Sequence, residues 1–571
     1  MKVSFHALLL VVVVAIVMAG CSGSKPATEN KPAADAATGS NREAALTHYL
    51  NGSALDQKED YAAAILEYQD ALRYDQDPSI HFSIAKDYAI LGKGALALEH
   101  AHEAVRLAPD KREYRETLAE ILVRALQFDS ATAQYFEIIR IDSNYRQGWY
   151  TAGRLLAMNK KPKEAIDLFQ KYINYFGQDF DVCSQLVQLY GAMDDFDNVV
   201  ATLKQMSALE PTNAEVKRFL GDTYLQSDSL DASLEWYKQG VAIDPDDVIG
   251  RASLARAYLL KKDKTKALEQ IEAVMTRDSV SADDQIQFGQ IIISVVARDS
   301  TVLPIARDLF GTIRKNQPKD WRPYWFLGAI ANIERNDTAA IAYFNDVTKL
   351  ASWNADAWAA VASIYYDNEK FDRAIEVMDR AKAVVPKDFR VYFITGISQQ
   401  RLHNDPEAAK NLEQAIQLNE KSVDALSALG LVYDEMARHD DSDTMYERAL
   451  RVDPKNALVL NNYGYSLSER NVQLDRALKM SEEAVRQAAD NQSYLDTKGW
   501  IFYQLGRYEE AETHIKRAVD LGSKSPVINE HLGDVYAKMH KNDKAVEYWQ
   551  KALNYGSTSP GLKDKIQRGG M

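Results

Sequence analysis

The chain has 571 residues, a formal net charge of −14, and a composition that is 46% hydrophobic, 10% aromatic and 26% charged. An acidic balance of this size excludes a nucleic-acid binder, which needs a basic footprint to displace counterions; it fits a solvated outer face. A globular chain of this length would divide into domains of about 150 residues, but internal repeats make this one quasi-one-dimensional instead.

Taken in chain order, residues 1–20 come first. Lys2 supplies a short basic start, Ala7 to Met18 is an unbroken apolar run, and small residues follow. The run is about twelve residues, short of the roughly twenty that span a membrane, and the layout is that of a secretory signal. Ala19-Gly20-Cys21 resembles the lipobox of bacterial lipoproteins, with Met18 where that family most often has Leu. The resemblance implies cleavage before Cys21, acylation of its thiol (palmitate or a similar chain) and a membrane anchor. Ser22, where an Asp would mark inner-membrane retention, then points to the outer membrane with the protein facing the periplasm. Residues 21–44 are mostly Ser, Ala, Pro, Lys and Thr; they cannot bury enough apolar surface to offset their ordering entropy and are expected to be a flexible linker. With Cys21 so used, Cys183 has no disulfide partner and reads as a small buried packing residue.

From Ala45 onward three ladders set the organisation. Prolines stand at 109, 211, 245, 318, 386 and 454, with gaps of 102, 34, 73, 68 and 68. Glycines stand at 153, 221, 289, 328, 396, 430, 464, 499 and 533, with gaps of 68, 68, 39, 68, 34, 34, 35 and 34. Alanines follow the same period from Ala97 to Ala545. Each ladder loses five residues of register once, and the overlap puts that insertion between Gly289 and Ala306; a one-residue slip lies between Gly464 and Ala477. A period of 34 with Gly499, Tyr503, Gly506, Tyr508, Ala511 and Ala518, then Gly533, Tyr536, Ala545 and Ala552, resembles the tetratricopeptide repeat (TPR). The resemblance implies an all-α, right-handed superhelical solenoid of about fifteen helix–turn–helix units covering Ala45 to Ser559. Small residues let neighbouring helices approach, aromatic rings fill the space left, and proline ends the second helix. The arrays are expected at 45–320 and 321–559, with a poorly ordered tail at 560–571 in which Leu562 to Ile566 could form a cap. The five extra residues enlarge a turn around Ala297 to Pro304, as a surface loop or a hinge.

Chemistry is sparse. His100 and His102 lie two apart on a helix and face nearly opposite sides, and His531 and His540 belong to different helices. Asp440, Asp441 and Asp443 lack the glycine and distal Glu of a calcium loop. Leu91-Gly92-Lys93-Gly94 lacks the first glycine and the hydroxyl residue of a phosphate loop. No metal, cofactor or catalytic residue is expected, and the repeats leave no room between Ala45 and Ser559 for a catalytic domain.

The family resemblance puts a ligand groove on the first helices. It presents Arg322, Trp325, Tyr366, Arg390, Phe393 and Arg401 in the middle repeats, and Asn461, Tyr465, Asp496, Trp500, Tyr503, Glu530 and Asp534 in the C-terminal ones. Exposed aromatic and Arg side chains are usual anchors of recognition; the alternative is that these aromatics pack between helices. Two patches imply two partners or one long ligand. The function expected is a non-enzymatic scaffold for protein partners in cell-envelope assembly or secretion. The alternative is a glycan-binding factor in polysaccharide export, with Trp325 and Trp500 stacking on sugars.

Overall fold

The structure, a computed structural model, describes residues 39–277 and 279–569. The expected signal segment 1–20, the lipidation site Cys21 and the linker up to residue 38 lie outside the described residues.

Two compact units divide between Pro211 and Thr212. Within the first, ten α-helices run from Gly39–Asp56 to Phe196–Leu209; within the second, twenty-one run from Ala214–Gln226 to Leu562–Arg568. They form consecutive helix–turn–helix pairs, five in the first unit and ten in the second, with Leu562–Arg568 left over. The architecture is an all-α solenoid of paired helices, and the repeat count agrees with the 34-residue period.

One repeat shows why the sequence folds this way. Ser525 caps Pro526–Lys538, its Oγ accepting from the Ile528 N–H at 3.4 Å, and Pro526 fits the first helical turn, where its missing N–H is no loss. The helix stops at His540, whose φ is 59°, and the next N–H, of Lys541, returns to the Tyr536 carbonyl at 2.9 Å. That is the Schellman closure of a helix C-terminus. The second helix, Asn542–Asn554, buries Ala545, Trp549 and Ala552. Nearly every repeat turns the same way: Glu59, Leu126, Lys160, Asp194, Asp228, Lys262, Arg335, Glu369, His403, Ala437 and Asn471 all have positive φ, with Gly92 and Gly506 at two further positions. A left-handed residue with a side chain costs about 1–2 kcal/mol, which the returning hydrogen bond and the packing it permits offset.

The ladder prolines lie just past second helices: Leu107 is followed by Pro109, Leu209 by Pro211 and Val452 by Pro454. The five-residue insertion falls between Ala282–Ile293 and Leu303–Asn316. Its connection includes a 3₁₀ turn, Ser300–Val302, and buries Val295 and Val302 in one cluster with Phe288 and Phe310. Lys264 Nζ donates to the Thr301 carbonyl at 3.2 Å. The extra residues are a packed loop. That cluster of buried side chains runs from Leu234 to Ile330.

At both ends of the described residues helix extends into segments expected to be irregular. The first helix starts at Gly39, so the last residues of the expected linker are helical, and Ala45 is buried. Up to residue 569 the tail is ordered, in place of the expected disorder, and its helix Leu562–Arg568 holds the expected cap: Leu562 is 1% exposed, and Lys565 bridges to Asp534 at 2.9 Å and Glu530 at 3.4 Å. Cys183 is a buried free thiol that donates to Gln178 Oε1 at 3.3 Å, and burial pushes it up.

Most ladder glycines mark close helix contacts, and helical glycines off the ladder need not. A Cβ on Gly221 would lie 2.4 Å from the ring of Tyr237, which is buried and held by its hydroxyl donating to Asp222 at 2.6 Å, whereas a Cβ on helical Gly311 would meet nothing within 4 Å. Gly221→Ala is expected to destabilise the second unit by about 1–3 kcal/mol through overpacking. Gly311→Ala is expected to stabilise it by about 0.5–1 kcal/mol through lost unfolded-state entropy. Urea unfolding followed by circular dichroism distinguishes them.

In the first unit Asp87 is 1% exposed and its Oδ2 has no hydrogen-bond partner. Burial, then the nearby Asp56 carboxylate, pushes it up to about 7. Its folded value exceeds its unfolded one, so its contribution is complete in acid and is lost as pH rises through about 7. Asp87→Asn should therefore raise the stability of the first unit at pH 8 by about 1–3 kcal/mol, a gain that shrinks toward pH 4; denaturation midpoints across that range check it.

Candidate functional site

In the second unit, first helices Val423–Glu435, Ala457–Glu469, Gln492–Gln504 and Pro526–Lys538 supply most of the lining of two hollows. Helical spacing explains the choice of residues. Asn461, Tyr465 and Glu469 follow one another at four-residue intervals and so share a face. The repeat period carries the same positions forward: Asn461 corresponds to Asp496 and Glu530, and Tyr465 to Trp500 and Asp534. The first hollow, about 520 Å³, is lined by Asp434, Glu435, Asn461, Tyr465, Glu469 and Asp496 among others. The second, about 480 Å³, shares Glu469 and Val527 with it and adds Trp500, Glu530, His531 and Asp534.

A buried aromatic and ionic assembly stands at their junction. His531 Nδ1 lies 3.0 and 3.1 Å from the two Asp496 carboxylate oxygens, with both side chains nearly inaccessible. The Trp500 ring stacks on His531 at 3.9 Å and on Tyr503 at 4.5 Å, and its Nε1 donates to Glu469. Burial pushes the His531 imidazole down, but Asp496, with Glu469 and Asp534, outweighs it and the net shift is upward. Asp534 accepts from Trp549 Nε1 at 2.8 Å and from Lys565; burial lifts its carboxyl against the pull of that lysine. Glu530 accepts from Ser559 Oγ at 2.8 Å. In the first hollow Asp434 faces His439 at 3.3 Å, and Arg470 turns to Asp443 at 2.6 Å. Two buried groups there have no partner: the Tyr446 hydroxyl and Asn461 Oδ1.

The sequence-derived residues sort into three sets. Asn461, Tyr465, Asp496, Trp500, Glu530 and Asp534 line the two hollows. Tyr366 and Phe393 line another, about 290 Å³, with Leu431 and Asn462. The remainder are committed elsewhere. Arg322 is clamped by Asp320 and Asp283, each at 2.6 Å, and Arg390 by Asp388 and Asp356, each at 2.6 Å. Trp325 is half-buried against Phe344 at 5.2 Å, Tyr503 stacks on Trp500, and the Arg401 guanidinium lies over Phe371 at 5.0 Å. Sequence reasoning missed Asp434, Glu435, Glu469, Tyr446 and His531. Glu435 and Glu469 carried a usable signal, since they occupy one register position 34 residues apart.

Stacked helix pairs with hollows along their first helices define a helical-repeat solenoid protein. The tetratricopeptide repeat matches residues 192–250, 355–387, 425–458 and 469–526, and the chain carries tetratricopeptide repeats over those segments. It is 20% identical over 330 residues to the BBSome complex member BBS4 of Bos taurus, covering 58% of this chain and 56% of that protein. It is 24% identical over 161 residues to the type IV pilus assembly protein PilF of Pseudomonas aeruginosa, covering 28% of this chain and 63% of that one. The chain thus spans less than two thirds of the length of either. The crystal structure of the APC/C hetero-tetramer Cut9–Hcn1 matches with a TM-score of 0.39 at 13% identity, over 85% of this chain and 95% of that one.

The raised value of His531 has a direction that can be measured. Its ion pair with Asp496 contributes fully below the ordinary imidazole value near 6.5 and is lost as pH rises through the higher folded value. The C-terminal repeats should therefore unfold at lower denaturant at pH 9 than at pH 6. His531→Gln should lower stability at pH 6 by about 1–3 kcal/mol and flatten the pH dependence. An unchanged slope in that variant would remove the imidazolium from the account.

Proposed function

We propose that this chain is a non-enzymatic scaffold that binds protein partners through the first-helix hollows of its second unit, held in the cell envelope by lipid on Cys21 and facing the periplasm from the outer membrane. The observation that carries the binding role is the continuity of the two C-terminal hollows, which share Glu469 and Val527. A solenoid presents such surfaces because each repeat needs only its neighbours for stability, which leaves one helix face available. The envelope setting is supported by the lipobox at Ala19-Gly20-Cys21 and by the similarity to a relative named for type IV pilus assembly. The glycan alternative has weaker support in the side chains first considered for it. Trp500 is stacked on two rings and 9% exposed, and Trp325 is packed on Phe344.

Affinity capture from detergent-solubilised envelopes tests the scaffold. The full chain is expected to retain a defined protein set that falls about tenfold or more with Tyr465→Ala plus Phe393→Ala, a loss of two aromatic anchors. Capture that ignores both changes rejects the groove. In the same cells Cys21→Ser is expected to move the protein from the membrane to the soluble fraction; continued membrane retention rejects the lipid anchor.

A further inference from the structure

The first hollow is built with an unmet requirement. Four carboxylates line it: Asp434, Glu435, Glu469 and Asp496. Two are answered within the fold, Asp434 by His439 and Asp496 by His531. The arginine that lines the hollow, Arg470, is held by Asp443, which is not part of the lining. Glu435 and Glu469 differ. Their hydrogen bonds come from neutral donors, Gln400 Nε2 at 2.8 Å and Trp500 Nε1, and among the described residues neither sits in an ion pair. They occupy the same register position of adjacent repeats, so both stand on the same face of the stack.

The second observation is independent of charge. Asn461 is 7% exposed and Tyr446 fully buried, yet Asn461 Oδ1 and the Tyr446 hydroxyl, both at this hollow, have no hydrogen-bond partner. A buried acceptor left unpaired costs about 1–3 kcal/mol, and a Leu or Phe in those places would avoid it. The hollow therefore offers no cation to Glu435 and Glu469 and no donor to Asn461 Oδ1.

Resting on the groove reading above, we propose that this hollow takes an arginine side chain from an extended segment of a protein partner, with the guanidinium between Glu435 and Glu469 and an N–H donated to Asn461 Oδ1. A guanidinium suits this set better than an ammonium. It carries five N–H donors in a planar fork, stays charged, and pairs with carboxylates through two hydrogen bonds at once. It is also the more weakly hydrated cation, which matters where one of its N–H groups must reach the buried Asn461 Oδ1.

The test uses the full chain and a fluorescein-labelled Gly/Ser peptide with a central arginine, compared with the same peptide carrying citrulline, an uncharged isostere. Anisotropy titrations should favour arginine by about tenfold or more, the gain of a charge-assisted pair over a neutral one. Glu435→Gln plus Glu469→Gln should abolish the preference. Glu113→Gln plus Asp181→Asn, the same loss of charge in the first unit, should keep it, which separates the hollow from the acidity of the whole chain. Asn461→Leu should weaken arginine-peptide binding about tenfold while raising the melting temperature, since it removes an unpaired buried acceptor. A misfolded variant would lower that temperature. Equal binding of the arginine and citrulline peptides overturns the proposal. So does a preference that survives the double glutamine variant, or displacement of the arginine peptide by spermidine at a lower concentration than by unlabelled peptide. If arginine selectivity is absent but captured proteins still depend on Tyr465 and Phe393, this inference fails and the groove stands. If neither is seen, both fail.

Discussion

A glycine on the first helix of a repeat and a bulky ring on the second set how closely the two helices lie, and the rest of the fold depends on that distance. Gly52 meets Tyr68, Gly153 meets Phe169, Gly221 meets Tyr237, Gly328 meets Phe344, Gly430 meets Tyr446 and Gly533 meets Trp549, always 16 residues on. Gly289 meets Phe310 instead, 21 residues on, because the five-residue loop lies between them. The insertion lengthens the connection and leaves the contact alone. In each pair an added Cβ would come within 3 Å of the ring, so these are sites of contact between backbone and aromatic face. Some of the rings also reach the next repeat: Tyr446 stacks on Tyr463 at 5.1 Å and Phe310 on Phe326 at 4.5 Å. One contact thus closes a repeat and fixes its neighbour, which is how a quasi-one-dimensional core becomes continuous.

The glycine and proline ladders were legible because each obeys a hard steric rule. Only a missing Cβ admits the ring, and proline must stay out of the second helix beyond its first turn. The equally regular left-handed turn was not legible. Its residues are Leu126, Lys160, Asp194, His403 and Ala437 among others, with glycine only at Gly92 and Gly506. Here the closing hydrogen bond, such as Gln127 N–H to the Leu122 carbonyl at 2.9 Å, tolerates almost any side chain at a modest energetic cost. A rule enforced by about 1–2 kcal/mol leaves little mark on sequence, whereas one enforced by overlap of atoms leaves a ladder. The tail is a similar case. Leu562 to Ile566 was readable as a cap, but only the fold brings Lys565 to Asp534 and Glu530.

The hollows were half legible for a related reason. The family resemblance, laid onto the period, placed Asn461, Tyr465, Asp496 and Trp500 on one face, because a solenoid repeats its geometry along with its sequence. Period could not tell which polar side chains were already engaged. Arg322 and Arg390 occupy equivalent positions two repeats apart, and both are held by a carboxylate two residues before and another a repeat before: Asp283 for Arg322, across the insertion, and Asp356 for Arg390. Those clamps tie successive first helices together, so the arginines hold the stack in register. Trp500 is likewise part of the wall: His531 and Tyr503 stack on it, and Glu469 accepts its N–H.

What marks the first hollow is the coincidence of unpaired buried oxygens with carboxylates that, among the described residues, sit in no ion pair. Elsewhere in the second unit some buried polar groups of first helices, at Gln285, Ser398 and Asn529, have an unpaired oxygen, while others find a partner, as Thr395 does with the Val391 carbonyl at 2.7 Å and Ser468 with that of Tyr465 at 2.7 Å. Asn461 and Tyr446 keep oxygen atoms without one, beside two carboxylates that lack a cation. In a globular core such a defect would weaken the whole cooperative unit. In a repeat array the penalty falls chiefly on the repeat that carries it and on its immediate neighbours, whose Gly430–Tyr446 and Tyr446–Tyr463 contacts hold that segment closed. The solenoid can thus keep a polar, negatively charged hollow open at one place along its length without loosening the rest, and the buried oxygens that make it costly in the free protein are those a donor-rich cation would satisfy.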